Sequence, residues 1–462
     1  MSGPGEDAGA QRPDQEEAPQ PRRPAGEPVR ASAILRLRGV WIAPLAITAV
    51  LIALIAVIYI GAVVNPTGHI HGLPVMVVNR DAGATVHGRR VDLGEQIVAA
   101  LQQASPVTSR LALTPTSLNA AKAKMDAAKA YGTLVIGATL TTTTLEAAGV
   151  TGQSGHGPPR PALTFLENSR LGSLGVNLAA GVLTPATAQI SSEVSKKLGS
   201  SAGADLITLT PVAYRPLPDH SAVGLSAFYV ALLAIMAGFL GATLINSSVD
   251  GALGYATTEI GPRWRQRRPI AIDRKQTLLV KWAIAAVASP ILTGILLLVS
   301  VAALGMHAPH VGYLWLLLIL GAMMVAAGTL ALFAALGAIG RALGLILFVY
   351  LSLASAGGTV PTEALPGFFR FVGHVEPLRQ LLDGTRAILY FGARGDAGLT
   401  HGLIVIASEL VFWLAVGLIV TSWYDRKQLY RLQPDLLAYV EQAVDRGPRE
   451  RPDVSADPAD GP

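Results

Sequence analysis

The sequence predicts an α-helical integral membrane protein with six transmembrane helices and a large α/β extracytoplasmic domain inserted between the first and second spans. Of its 462 residues, 51% are hydrophobic and only 15% are charged. The apolar residues are gathered into blocks, and a block of roughly 20 residues is enough to cross a bilayer as a helix. A long polar stretch, residues 65–220, separates the first block from the others.

Residues 39–64 are predicted to form the first transmembrane helix. Arg30, Arg36 and Arg38 lie before its apolar run, and the positive-inside rule places that cationic end in the cytoplasm. The run is longer than the core of a signal peptide and starts far from the first Met, so we expect a retained anchor. Residues 1–38 are rich in Pro, Gly, Glu and Arg, which predicts a disordered cytoplasmic tail.

Residues 65–220 alternate between strand-like and helix-like patterns, which predicts a folded α/β domain. Asp92 and Glu95 have the spacing of a capping box that opens a helix at Leu93. A Gly/Pro-rich loop at 149–161 separates the two halves. The predicted strands are 74–79, 110–114, 133–137, 162–167 and 206–213, and the predicted helices are 93–102, 117–130 and a long one within 171–198.

Residues 221–424 are predicted to form five further spans. The loop between the second and third spans is rich in Arg and therefore belongs in the cytoplasm, whereas the turn at 305–310 has no Lys or Arg and belongs outside. Arg426 and Arg431 return the chain to the cytoplasm, where residues 425–462 are predicted to be a largely disordered tail. The predicted spans are 221–245, 278–304, 311–337, 342–356 and 400–423.

Residues 358–392 are too charged to cross lipid, although apolar runs flank them. We expect outer re-entrant or surface helices here, with an amphipathic helix at 378–390. Arg379, Asp383 and Arg386 share one side of that helix. They are either an ion-paired polar face or a gate at the outer mouth of a transport path.

Two stretches of this chain resemble those of the phage infection protein (YhgE/Pip) family, which is related to the permeases of type 2 ABC exporters. The first runs Val-Val-Asn-Arg-Asp-Ala-Gly from Val77 and continues with Val91 to Glu95. The second comprises Gly-Gly-Thr-Val-Pro from Gly357, then Leu365-Pro366, Pro377 and Asp-Gly-Thr-Arg-Ala-Ile-Leu-Tyr from Asp383. One departure is Ile-Gly-Ala-Thr from Ile136, where the family usually has Ile-Pro and an aromatic-containing turn.

The resemblance implies a permease-like membrane domain whose six-span subunits pair and whose cytoplasmic segments bind a separate ATPase. The matching segment here is the cationic loop between the second and third spans. Retention of this loop inside, or contact with anionic lipid, is the alternative explanation of its charge. The candidate docking residues are Glu259, Arg263, Arg265, Arg267, Arg268, Arg274, Lys275 and Lys281.

Sequence motifs argue against catalysis by this chain. The phosphate-binding pattern G-x-x-x-x-G-K-[ST] is missing, and Cys is absent. A basic face for nucleic acid is also missing. His69, His71 and His87 could form a zinc site only if their loop folded back, and solvated histidines are the other interpretation. We therefore predict no catalytic, cofactor-binding or metal-binding residues.

Glu409 is an acid well inside the last predicted span. An ionised carboxylate at the centre of a membrane helix costs ~2.5 to 3.5 kcal/mol on insertion scales. Glu409 therefore either lies on a substrate or proton path, or is protonated or hydrogen-bonded to a neighbouring helix.

The leading hypothesis is the permease subunit of a type 2 ABC exporter-like system that moves an amphipathic or lipid-like substrate outward. It would lie in a bacterial cell membrane with both termini cytoplasmic, in contact with lipid, paired with a second permease and bound to a separate ATPase. The alternative is a surface receptor or envelope scaffold without transport. A metal-dependent outer enzyme is a third hypothesis.

Overall fold

A computed structural model describes residues 36, 38–86, 88–150, 161–200, 202–261, 263–265, 267, 269–429 and 431. Most of the two predicted tails, His87 and residues 151–160 therefore lie outside the described residues. The chain divides into two compact units, residues 1–54 and 55–462. Helix α1, Arg38–Val63, begins in the first unit and ends in the second.

The α/β domain is built on a five-stranded sheet of order β4-β1-β5-β6-β7. Strands β4, β1 and β5 are parallel, β6 pairs antiparallel with β5, and β7 is parallel to β6. A separate hairpin, β2–β3, was not predicted because its strands have only three residues each. The strands are β1 Leu73–Asn79, β2 Ala84–Val86, β3 Arg89–Val91, β4 Leu111–Pro115, β5 Gly132–Ile136, β6 Ala162–Glu167 and β7 Thr208–Ala213.

Carboxylates at the strand ends start the helices of this domain. Asp92 accepts a hydrogen bond from the backbone N–H of Glu95 at 2.9 Å, which confirms the predicted helix start. Asp81 accepts from the N–H of Gly94 at 3.0 Å and from that of Thr141 at 3.1 Å, so one side chain fixes two helix starts. The helices are α2 Leu93–Gln103, α3 Ser105–Thr108, α4 Leu118–Asp126, α5 Leu140–Ala147 and α6 Ser173–Leu198.

Five of the described helical segments are long and apolar enough to cross a membrane. They are Ser226–Ala252, Arg274–Ala303, Val311–Leu336, Ala338–Ser355 and Leu399–Arg426. They lie where five spans were predicted, although the first begins later and ends later than expected. In α1 the described apolar part is the shorter Thr48–Val63, so the sixth span stays a prediction.

The remaining elements follow in chain order. They are α7 Ser226–Ala252, a hairpin of β8 Thr258–Ile260 and β9 Arg263–Arg265, α8 Arg274–Leu297 with a π-helical end, α9 Val311–Leu336, α10 Ala338–Leu345, a π-helical Ile346–Leu351, α11 Ser352–Ser355, α12 Gly367–Val372, α13 Pro377–Tyr390 and α14 Leu399–Arg426. The cationic loop is therefore shorter than predicted, because α7 continues beyond residue 245.

Helix α13 lies inside the bundle, where it packs against α7, α9 and α14. All of its fourteen residues except Arg379 and Asp383 are buried. Two glycines allow this approach: a Cβ on Gly321 of α9 would lie 2.9 Å from Leu381, and one on Gly384 would lie 2.8 Å from Leu317. This burial favours the re-entrant arrangement over the surface helix, because a helix at a surface leaves one whole face uncovered.

Gly238→Ala is expected to destabilise the bundle by ~1 to 3 kcal/mol, because the added methyl group would be overpacked. Its Cβ would lie 2.4 Å from the backbone oxygen of Ala322. The control is Gly241→Ala one turn on, where the nearest atom is 3.4 Å away and the better helix propensity of Ala is worth ~1 kcal/mol. Thermal unfolding in detergent compares the two variants. Equal Tm values would contradict the close α7–α9 packing.

Candidate functional site

Helix α13 begins with a buried carboxylate. Glu376 is 2% exposed and accepts hydrogen bonds from the N–H groups of Leu378 at 3.1 Å and Arg379 at 3.2 Å. The hydroxyl of Ser352 also donates to it. Pro377 follows at the first helical position, where its missing N–H has no cost. An acidic residue directly before a proline is thus a sequence pattern that could have predicted this cap. Glu376 was not among the predicted site residues.

The α/β domain is joined to the segments around α13 at two places. On one side, Arg170 donates from Nη1 to the backbone oxygen of Tyr390 at 2.8 Å, and the Tyr390 hydroxyl lies 2.7 Å from Ser226 Oγ of α7. On the other side, Tyr131 donates to a carboxylate oxygen of Glu363 at 3.2 Å. The α/β domain and the segments around α13 therefore pack against each other.

Arg386 is the most enclosed of the three residues predicted to form an outer gate. It is 8% exposed, and its Nη2 donates to the backbone oxygens of Gly357 at 3.2 Å and Gly358 at 3.3 Å. Asp383 lies 3.8 Å from Arg386 Nη1 and 3.9 Å from Arg379 Nε. These ion pairs are longer than hydrogen bonds. The structure therefore brings the three predicted side chains together but leaves their charges loosely paired.

Two cavities meet at Arg386. The larger, of about 510 Å³, lies between the turn after α4, helix α13 and the start of α14. The smaller, of about 250 Å³, lies between the start of α6, the segment before α7 and the loop at Gly357. Because Arg386 and Leu171 line both cavities, a shift of either side chain changes the barrier between them.

Glu409 lies on α14, as predicted, and one of its carboxylate oxygens is buried without a hydrogen-bond partner in the described part of the chain. A buried polar atom without a partner costs free energy unless water or protonation satisfies it. Its place on a transport path stays a prediction.

The candidate docking residues fall into separate groups. Glu259, Arg263 and Arg265 belong to the hairpin β8–β9, and Arg268 lies outside the described residues. The side chains of Arg267 and Lys275 are exposed. Arg274 instead donates from Nε to the backbone oxygen of Leu429 at 2.7 Å and stacks on Tyr424.

Lys281 is buried and therefore cannot present its charge to a partner. Its ammonium lies 2.7 Å from both Asp250 and Asn246, and Arg431 holds the same Asp250 carboxylate at 2.6 Å. This cluster joins α7, α8 and the end of the described chain. It was not predicted from the sequence, because its members are far apart in the chain. An acidic residue at the end of an apolar span, here Asp250, could have indicated a buried ion pair.

Of the three histidines considered as zinc ligands, only His69 and His71 belong to the described residues. His69 Nδ1 lies 2.7 Å from the backbone oxygen of Asn65, and His71 Nδ1 lies 2.6 Å from that of His69. Among the described residues, no group of three potential ligands could hold a metal ion.

Comparison with known families gives one match. A family described as ABC-2 family transporter protein matches residues 39–421. The matched range contains the α/β domain, the cationic loop and α13, and it ends inside α14. Searches of curated proteins and of solved structures found no match.

Glu376 is expected to make stability depend on pH. Burial raises its pKa from 4.5 to about 7, against the opposing effects of its three hydrogen bonds and of Arg379. Because the folded pKa is the higher one, the stabilisation is complete below about pH 4.5 and is lost as the pH rises to about 7. The full loss is about 3 kcal/mol.

The Glu376→Gln variant mimics the protonated carboxyl group at every pH. Its free energy of unfolding, relative to that of wild type, should therefore rise between about pH 4.5 and about pH 7 and stay constant above that. Thermal unfolding between pH 5 and 8 measures the difference. The control is Glu193→Gln at an exposed position on α6. A difference between wild type and Glu376→Gln that is constant with pH would show that Glu376 ionises normally.

Proposed function

Because this chain belongs to the ABC-2 transporter family, we propose that it is the permease subunit of an exporter that moves an amphipathic substrate outward. Membership makes it a multi-pass membrane component of an ABC transporter. The family match over residues 39–421 is the observation that carries the proposal. The missing nucleotide-binding motif supports a separate ATPase subunit as the source of energy.

Within the family, the chain is proposed to be of the phage infection protein (YhgE/Pip) type. The stretches of sequence that begin at Val77 and Gly357 support this, because they resemble those of that family. In the structure, the first stretch ends β1, and its Asp81 caps both α2 and α5. We place the protein in a bacterial cell membrane, as one of two paired permeases, with the α/β domain outside and both termini in the cytoplasm. The distribution of Lys and Arg supports this orientation.

Helix α13 is proposed to be the outer gate of the transport path. Its buried position supports this, since it packs against three of the helices that are long enough to span the membrane, α7, α9 and α14. Arg386 lines both cavities and Asp383 lines the larger one. Because the ion pairs among Arg379, Asp383 and Arg386 are long, these charges can exchange partners at a smaller cost than tightly paired charges. Gating is thus a change in the pairing of Arg386.

The orientation predicts the labelling of single cysteines. The natural chain has no Cys, so Asn119→Cys in the α/β domain and Arg267→Cys in the cationic loop each add one thiol at an exposed position. A membrane-impermeant maleimide should label Asn119→Cys in intact cells, and Arg267→Cys only after permeabilisation. Wild type is the unlabelled control, and the reverse pattern would overturn the orientation.

Reversing the exposed charges of the cationic loop is expected to weaken ATPase binding. Arg267→Glu combined with Lys275→Glu should lower the amount of ATPase that co-purifies from the native host by about tenfold, since like charges would then face each other. The control is Lys427→Glu, which lies at an exposed position beyond α14. The partner is identified by mass spectrometry and by ATP hydrolysis of the purified complex.

Failure of wild type to recruit any ATPase from the native host would overturn the exporter proposal. The receptor hypothesis would then be preferred. An ATPase that binds the double variant and wild type equally would leave the exporter intact but exclude this loop as the docking segment.

A further inference from the structure

The larger cavity has walls from four parts of the chain: the turn at Ala127 to Lys129, Leu171 before α6, helix α13 at Asp383 and Arg386, and the chain from Gly395 to Ile404. Its volume of about 510 Å³ is in the range of small-molecule sites. We propose that this cavity binds the anionic headgroup, phosphate or carboxylate, of an amphiphile whose hydrocarbon tail lies along α14. The inference rests on the proposed export function and specifies its substrate class.

Arg386 supplies the buried cation of this site. Its two hydrogen bonds within the described chain both come from Nη2. Nη1 has only Asp383 at 3.8 Å, too far for a hydrogen bond. A guanidinium has five N–H donors in a planar fork that matches carboxylate and phosphate oxygens. A buried guanidinium with unused donors beside a cavity therefore favours an anion.

The cavity lining carries two cations, Lys129 and Arg386, and two carboxylates, and each carboxylate is already paired with an arginine. Asp396 is already paired with Arg394 by two hydrogen bonds of 2.7 and 2.9 Å. Asp383 is shared between Arg379 and Arg386. Lys129, on the opposite wall, is exposed and has no ion pair among the described residues. An anion in the cavity would have a cation from the α/β domain on one side and one from α13 on the other.

The apolar wall of the cavity continues onto α14. Ile404 lines the cavity and is 63% exposed. Further exposed positions follow it at helical spacing: Ser408, Val411, Ala415 and Ile419. These exposed residues lie on a helix that is long enough to span the membrane. Their side chains can therefore contact lipid or the acyl chain of a bound amphiphile. A headgroup in the cavity would place its tail on these residues, so the hydrocarbon would not be exposed to water or to polar surface.

The test measures binding of dodecyl phosphate to the full-length protein in lipid nanodiscs. Inorganic phosphate tests the headgroup without a tail, and dodecyltrimethylammonium tests the tail with the opposite charge. We expect dodecyl phosphate to bind at least about tenfold more tightly than either, since both parts of the site contribute. Equal binding of the two alkyl compounds would overturn the proposal. Equal binding of the two phosphates would exclude the tail site on α14.

Substitutions then locate the site. Lys129→Gln should weaken dodecyl phosphate binding by about tenfold, because one charge-assisted contact is lost. Its control is Lys122→Gln, also exposed but not lining the cavity. Arg386→Gln should weaken binding further. Arg386 also donates hydrogen bonds to the loop at Gly357, so weaker binding by Arg386→Gln locates the site only if the thermal unfolding of this variant is unchanged. If its unfolding changes, the location of the site is judged from Lys129→Gln alone.

The outcome separates this inference from the export proposal. Charge-selective binding that depends on Lys129 would establish the site even if no ATPase is recruited. If an ATPase is recruited but binding is independent of the headgroup charge, the proposed headgroup site is wrong. The exporter proposal would then be retained.

Discussion

The structure depends on enclosing a polar helix within an apolar bundle. Helix α13 carries Glu376 at its start and Arg386 in its third turn, and both side chains are buried. A buried polar group must find hydrogen bonds inside the protein. Glu376 finds them at the N–H groups of its own helix and at Ser352, and Arg386 finds them at two loop carbonyls. The loop, the preceding span and α13 can therefore adopt this arrangement only together.

The same principle governs the other end of the bundle. Asp425 of α14 accepts hydrogen bonds from the N–H groups of Arg274 and Lys275, each at 3.0 Å, so the start of α8 is capped by a different helix. Asp250 holds Lys281 and Arg431. These contacts tie three helices to the cationic loop. A partner that displaces this loop therefore acts on α14 as well as on α8.

The sequence identified the strands of the five-stranded sheet, the five described spans and the extent of α13, because these depend on local periodicity and capping. It did not identify the burial of α13. Amphipathic spacing shows that two faces differ in polarity but not what covers the polar face. Here the backbone oxygens of Gly357 and Gly358 accept hydrogen bonds from Arg386 on that face. The spacing also brought Arg379, Asp383 and Arg386 into one group. The cavities beside them could not be predicted, because their walls come from segments more than 200 residues apart.

Helix α14 connects the two ends of the membrane domain. With 28 residues it is about 42 Å long. Asp425 near its last turn caps α8, and Thr400, His401 and Ile404 in its first turns line the larger cavity. A shift of α14 along its axis would therefore break the α8 cap at one end and change the cavity at the other. Because a continuous helix resists compression, the two events are mechanically coupled. The cavity proposed to bind a headgroup therefore lies at the end of α14 opposite to the one that contacts the cationic loop.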